Sequence, residues 1–129
     1  MSVEIFVPWM GPSSNSCYAG KHWAIRKKEA DAGHLVTGQS FKGVGLIEGP
    51  VLLNFSPIVG KGKRRFDPSN YSYSVKIIED GLVLAGVIAG DGPDQVSFIG
   101  ISSPVRGDES GFFVEILQAK KSPATNHRA

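Results

Sequence analysis

Between Pro68 and Ala85 five apolar residues, Tyr71, Val75, Ile78, Leu82 and Ala85, recur at intervals of four, three, four and three. That spacing follows one face of an α-helix, and a stripe of this width has to be covered by another layer. The flanking segments offer one. Val3 to Pro8 alternates, with Val3, Ile5 and Val7 on one side, and Val51–Ser56, Gln95–Ser102 and Gly111–Leu117 are short apolar runs bounded by Gly, Pro and Ser, the pattern of strands. The last two read as paired closing strands, and a less regular strand lies around Leu46 and Ile47. A first helix is expected over residues 21–32, stopped by Gly33. Asp67 and Pro68 suit the N-cap and first position of the second helix, with Ser72 as an alternative start, and Gly86 ends it. The order β, α, β, α, β, β implies an α+β fold, a mixed sheet with two main helices packed on it.

A chain of 129 residues, 41% of them hydrophobic, has enough material for one core and too little for two. Residues 1–118 form the expected domain; residues 119–129 are a polar tail without apolar periodicity, expected to be disordered. The net charge of +2 is too small for affinity to nucleic acid by the molecule as a whole, so any such affinity comes from local clusters. The single cysteine, Cys17, excludes an internal disulfide and a multi-cysteine zinc site and agrees with a reducing compartment, the cytoplasm. No stretch approaches the ~20 apolar residues of a membrane span, and the N-terminus lacks the basic region of a secretion signal, so neither membrane insertion nor export is expected.

Chemistry-bearing residues gather around the second helix. Lys61, Lys63, Arg64 and Arg65 form a basic loop, expected to be mobile, that runs into Asp67; Lys76 lies on the helix with Asp80 one turn on; the chain then reaches Asp91 and Asp94 in the turn Gly90-Asp91-Gly92-Pro93-Asp94. Metal-assisted phosphodiester hydrolysis needs carboxylate oxygens from separate elements to hold a hard cation. Basic neighbours neutralise the phosphates, and a lysine stabilises charge on the phosphorus centre. Each residue also has a purely structural use: Asp67 as a cap, Asp91 and Asp94 as turn residues, Asp80 as the ion-pair partner of Lys76, the basic run as a solvated loop. A helix over residues 68–85 separates its two ends by about 25 Å, so Asp67 and Asp91 meet only if the chain folds back. His22, His34 and His127 have no metal-ligand spacing.

The string Arg64-Arg65-Phe66-Asp67-Pro68-Ser69-Asn70, followed by Lys76, Asp80-Gly81-Leu82, Ala85-Gly86-Val87-Ile88 and Gly90-Asp91, resembles the RusA-type Holliday junction resolvases. Pro8-Trp9, Pro12-Ser13-Ser14-Asn15 and Tyr18 resemble that family's opening strand and asparagine-containing loop, so the likeness spans residues 4–117. It implies a homodimeric, phage-like enzyme that nicks four-way DNA junctions in pairs with Mg²⁺, for which Mn²⁺ substitutes, in the cytoplasm of a host cell if phage-encoded. By position, Asp67, Lys76 and Asp91 match the family's catalytic residues, with Asp67 and Asp91 as metal ligands and Asp94 or Asp80 in reserve. Asn70 matches the motif asparagine, and Ser69 stands where the motif has its second acid. Arg26, Lys27 and Lys28, with Lys61, Lys63, Arg64 and Arg65, are the expected grip on DNA. The alternative is a junction-binding protein without cleavage.

Overall fold

A computed structural model describes residues 2–18 and 22–119, and nearly all of the expected tail lies outside them. The chain is α+β. In order it forms β1 (Ser2–Val7), a short α1 (Ser14–Tyr18), α2 (Trp23–Ser40), β2 (Val51–Val59), a single 3-10 turn (Pro68–Tyr71), α3 (Ser72–Leu84), β3 (Val96–Ile101), β4 (Val105–Arg106) and β5 (Gly111–Gln118). The sheet is mixed, in the order β1-β5-β2-β3, with β4 also on β2.

β2 organises this sheet. Its residues alternate strictly between buried and half-buried, so Val51, Leu53, Phe55 and Val59 enter the core while Leu52, Asn54, Ser56 and Ile58 face away from it. Antiparallel β5 flanks it on one side, Leu53 opposite Ile116 and Phe55 opposite Val114. Parallel β3 and then β4 flank it on the other. β3 and β5 are therefore not a pair, contrary to the expectation from sequence. The helix α3 carries the chain from β2 to β3, and such a crossover returns a strand parallel to the one it left. Pro57, which has no N–H to donate, falls where the edge partner is interrupted between β3 and β4, a position a central strand tolerates.

The helical stripe holds at four of its five positions: Tyr71, Val75, Ile78 and Leu82 are each at most 4% exposed. Ala85 is exposed, because the helix ends at Leu84 and Gly86 turns the chain with φ +73°. The α-helix starts at Ser72, the later of the two expected starts. Phe112 ties the stripe to the sheet, its ring edge-on to those of Tyr71 and Phe55 at 6.0 and 6.4 Å between centroids. Leu46 and Ile47 form no strand; Ile47 is a buried plug whose N–H donates to the Val87 carbonyl.

The first helix runs on through Gly33 to Ser40. Gly33 is a contact point with α3, not a stop: a Cβ there would come within 2.5 Å of Ile77 Cγ2 and 3.0 Å of the Trp9 ring. Gly81 does the same from the other side, where a Cβ would meet Thr37 Cβ at 2.9 Å. At Gly38 the place a methyl group would take is open space. Helix propensity favours alanine over glycine by about 1 kcal/mol at both helix-interior sites of α2, so their difference isolates packing. Gly38→Ala should stabilise the protein in urea unfolding by up to about 1 kcal/mol. Gly33→Ala should destabilise it by about 1–3 kcal/mol as the helices are forced apart; equal effects would contradict the close approach.

Candidate functional site

Lys76 lies on the second turn of α3, and its ammonium meets three carboxylates. Nζ is 2.7 Å from Asp91 Oδ2, 3.2 Å from Asp80 Oδ1 and 3.5 Å from Glu79 Oε1. Glu79 and Asp80 are neighbours on the same helix, but Asp91 comes from beyond it. The chain reverses at Gly86, the Val87 N–H donates back to the Leu82 carbonyl at 2.9 Å, and Val87 and Ile88 are buried at 1% and 2% exposure. Those two apolar plugs drive residues 87–91 back along α3 and set Asp91 beside Lys76. This reversal, made at the exit of the helix, brings Asp91 to Lys76.

The electrostatics follow from this arrangement. Asp91 holds the Lys76 ammonium well above the ordinary lysine range, with Asp80 and Glu79 adding to the effect, and Lys76 in turn lowers the Asp91 carboxyl. Glu79 moves the other way: burial raises it, against the pull of Lys76. The side chain of Glu79 is 5% exposed and that of Lys76 is 57% exposed, so the cation spans from a buried acid to solvent. Lysine tolerates this by extending its stem and leaving its head wet.

Asp67 lies elsewhere. It precedes the 3-10 turn without capping it through its side chain, and it lines a cavity of about 450 Å³ with Ser13, Asn15, Arg64, Arg65, Phe66 and Asn70. A second cavity of about 460 Å³ shares Ser13, Arg64 and Phe66 and adds Met10, Ser16, Lys63 and Ser110. The candidate residues are thus divided: Lys76, Asp91 and Asp80 meet directly, while Asp67, Asn70, Arg64 and Arg65 share a polar cleft. Asp94 is exposed in the turn after Asp91. Arg26 and Lys28 are exposed on α2, and Lys27 beside them pairs with Asp31 at 3.0 Å. Carboxylate oxygens are the right donors for a hard cation. Here they surround an ammonium, and among the described residues no group of three or more His, Cys, Asp or Glu is gathered to hold an ion. The donor set is right in kind and short in number.

The basic loop is bonded at Gly60 and Lys63 to Arg106 and Ser110. The Arg106 guanidinium on β4 donates to the Gly60 carbonyl at 2.9 Å and to the Lys63 carbonyl, and the Gly60 N–H donates to Ser110 Oγ. Arg64 stacks over the Phe66 ring, whose backbone N–H donates to the Tyr71 hydroxyl. Segment 11–15 is fastened as well. Ser14 Oγ accepts from the Tyr73 N–H at the start of α3 and bonds the Asn70 carbonyl, and the Gly11 N–H donates to Ser74 Oγ. Ser14 therefore caps α3 from 59 positions away. Sequence reasoning assigned no role to Ser14, Arg106 or Glu79. For Glu79 the signal was its place between the apolar Ile78 and Leu82; for the other two no local pattern exists.

No protein-family model matches the chain, and no curated protein is significantly similar to it.

The opposed shifts of Glu79 and Asp91 have opposite pH signatures. A raised carboxyl contributes stability that is present below its unfolded pKa and lost as pH rises through the folded value; a lowered one contributes stability present above its unfolded pKa and lost as pH falls through the folded value. In urea unfolding across the carboxylate range, Glu79→Gln should gain on the wild type as pH rises. Asp91→Asn should be less stable than the wild type near neutrality, with the gap closing in acid. A Glu79→Gln difference independent of pH would show that its burial does not govern its ionisation.

Proposed function

We propose that this protein is a divalent-metal-dependent endonuclease that nicks branched DNA, the four-way junction being its substrate, and that it acts as a homodimer. The observation that carries the reading is the Lys76–Asp91 pair, joined at 2.7 Å although the two residues come from opposite sides of a chain reversal. The pair is largely exposed and contributes little to stability, and a phosphodiesterase has a use for both residues. The order of motifs resembling the RusA-type resolvases supports the same assignment. So does the cleft lined by Asp67, Asn70, Arg64 and Arg65, since guanidinium groups suit bidentate contact with phosphate.

In this mechanism DNA phosphates are drawn to Arg64, Arg65, Lys61 and Lys63, with Arg26, Lys27 and Lys28 as a second patch. Water attacks phosphorus and gives its proton to bulk solvent, the bond to the leaving oxygen breaks and that oxygen takes a proton from solvent, and in passing charge accumulates on the phosphoryl oxygens. Lys76, whose ammonium reaches this site beside Asp91, stabilises that charge as a cation. The likeness to the resolvases assigns Mg²⁺, or Mn²⁺ in its place, to Asp67 and Asp91 with Asp80 or Asp94 in reserve; bound, it would polarise the phosphate and acidify its water, and because Asp67 lines a separate cleft the carboxylates would have to close on it together. Two symmetric nicks call for two copies related by a twofold axis. The compartment is the cytoplasm. No helix among the described residues is long and apolar enough to cross a membrane.

A second reading is a junction-binding protein without cleavage. It is favoured by the ammonium of Lys76, which already compensates the carboxylates that a metal would use. Titration of a labelled four-way junction in Mg²⁺ and in EDTA separates the two: nicking in Mg²⁺ supports the nuclease, and retardation without nicking at any metal concentration supports the second reading. Asp91→Asn should abolish nicking and leave retardation nearly intact; a variant that cuts at the wild-type rate removes Asp91 from the mechanism. Arg64→Ala with Arg65→Ala should weaken binding to all DNA and reduce the slope of log K against log salt by about 2, near 0.9 for each phosphate no longer neutralised.

A further inference from the structure

Four stretches far apart in sequence build the cavity beside the Asp67 cleft: residues 10–16, Val59, residues 63–66 and Ser110. Its walls are held by bonds that no ligand supplies. The Gly11 N–H donates to Ser74 Oγ, the Phe66 N–H to the Tyr71 hydroxyl and the Gly60 N–H to Ser110 Oγ, and Arg106 holds the Lys63 carbonyl. A preformed concavity of about 460 Å³ has the size of a small-ligand site.

Three kinds of chemistry line it. Met10, Pro12, Val59 and Phe66 are apolar, Ser13, Ser16 and Ser110 carry hydroxyls, and Lys63 and Arg64 are exposed cations. Among the described residues no carboxylate lines it, although the exposed Asp108 and Glu109 precede Ser110 in the chain. A purely apolar ligand leaves the cations unused, and a bare phosphate leaves the apolar floor unused. A nucleotide uses both. The adjoining cleft sharpens the choice, because it shares Ser13, Arg64 and Phe66 and adds Asp67, Asn70 and Arg65. A charged compartment and an apolar one therefore meet along common residues, as phosphate and base meet through a sugar. Two of those common residues form a stack, with the Arg64 guanidinium carbon 5.3 Å from the centre of the Phe66 ring, and aromatic rings and guanidinium planes are the surfaces on which unpaired bases stack.

We propose that this cavity takes one unstacked nucleobase of a DNA strand whose phosphate lies at Arg64 in the adjoining cleft. The proposal deepens the nuclease reading and rests on the premise, common to both of its versions, that DNA is the ligand. A base inside a continuous duplex reaches the cavity only after its pairing and stacking are broken, a cost that is smallest where the strand is already unpaired. The cavity thus favours branched or single-stranded DNA over duplex. Hydroxyls donate or accept as required, so it holds any of the four bases.

The test uses the full chain in EDTA, with the methyl signal of Met10 read by NMR and assigned by its loss in Met10→Leu. The probes dAMP and deoxyribose 5-phosphate differ only in the base. The nucleotide should move the Met10 methyl upfield through the ring current of its base and bind about 5- to 100-fold more tightly than the sugar phosphate, the range that stacking of one base supplies. Single-stranded oligo(dA) should move the same signal the same way at lower concentration, since its further phosphates reach Arg65 and Lys61. Ser16→Trp fills the cavity from an exposed position and keeps the Ser16 N–H bond to Ser13 Oγ; it should abolish the preference for dAMP and leave sugar-phosphate binding intact. Equal affinities for dAMP and the sugar phosphate, or a Met10 signal that neither dAMP nor oligo(dA) moves, overturn the proposal. A response to dAMP without one to oligo(dA) assigns the cavity to free nucleotides, and a response to the acidic peptide Asp-Phe-Asp without one to oligo(dA) assigns it to protein; either overturns the DNA subsite. Cleavage is not read in EDTA, so a silent Met10 beside a junction that is nicked in Mg²⁺ removes the subsite alone, and a moving Met10 beside an uncut junction removes the nuclease alone.

Discussion

The burial of one helical stripe in the core over the sheet holds the rest of the molecule in place. Tyr71, Val75, Ile78 and Leu82 share one buried core with the inward residues of β2 and β5, and the Tyr71 ring meets Phe112 of β5. Each large apolar side chain removed from water contributes about 1.5–3 kcal/mol, so the four together outweigh any single polar contact in the structure. With α3 fixed across the sheet, β2 becomes the central strand, β3 must return parallel beside it, and β5 takes the remaining flank.

The other long helix depends on that contact through two glycines. Gly33 and Gly81 let α2 and α3 approach until Ile77 and Thr37 fill the space where methyl groups would be. Close packing has a polar cost. Thr37 is fully buried and its hydroxyl has no hydrogen-bond partner among the described residues, a cost of the kind that tight apolar contact has to offset. Serines do the corresponding work at the start of α3, where Ser14, Ser72 and Ser74 lock segment 11–15 onto its first turn.

The charged cluster is a consequence of the same packing. Val87 and Ile88 are driven into the core, and the carboxylate of Asp91 is carried with them to Lys76. The ion pair itself is largely exposed, and pairs of that kind contribute little to stability. Its geometry therefore reflects where the apolar residues put the chain. The same holds for the basic loop, whose course is set by Arg106 bonding to its carbonyls. A cleft lined by Asp67, Asn70 and two arginines follows from a loop that has been given one shape.

Periodicity alone was enough to read the α+β class, the stripe on α3, and strands at β1, β2, β3 and β5, because alternation and 3.6-residue recurrence are written in neighbouring residues. It misread Gly33 as a stop, since a glycine that ends a helix and one that admits a second helix look the same until the second helix is placed. It paired β3 with β5, since adjacency in the chain says nothing of a strand inserted between them. The chemistry divides along the same line. Residue types and their order pointed to Asp67, Lys76 and Asp91; that Lys76 meets Asp91, Asp80 and a buried Glu79, while Asp67 faces a different cleft, was decided by the reversal at Gly86 and the burial of Val87 and Ile88. Local sequence determines which face of an element is apolar, but which elements meet depends on contacts between residues far apart in the chain, and those exist only once the core has closed.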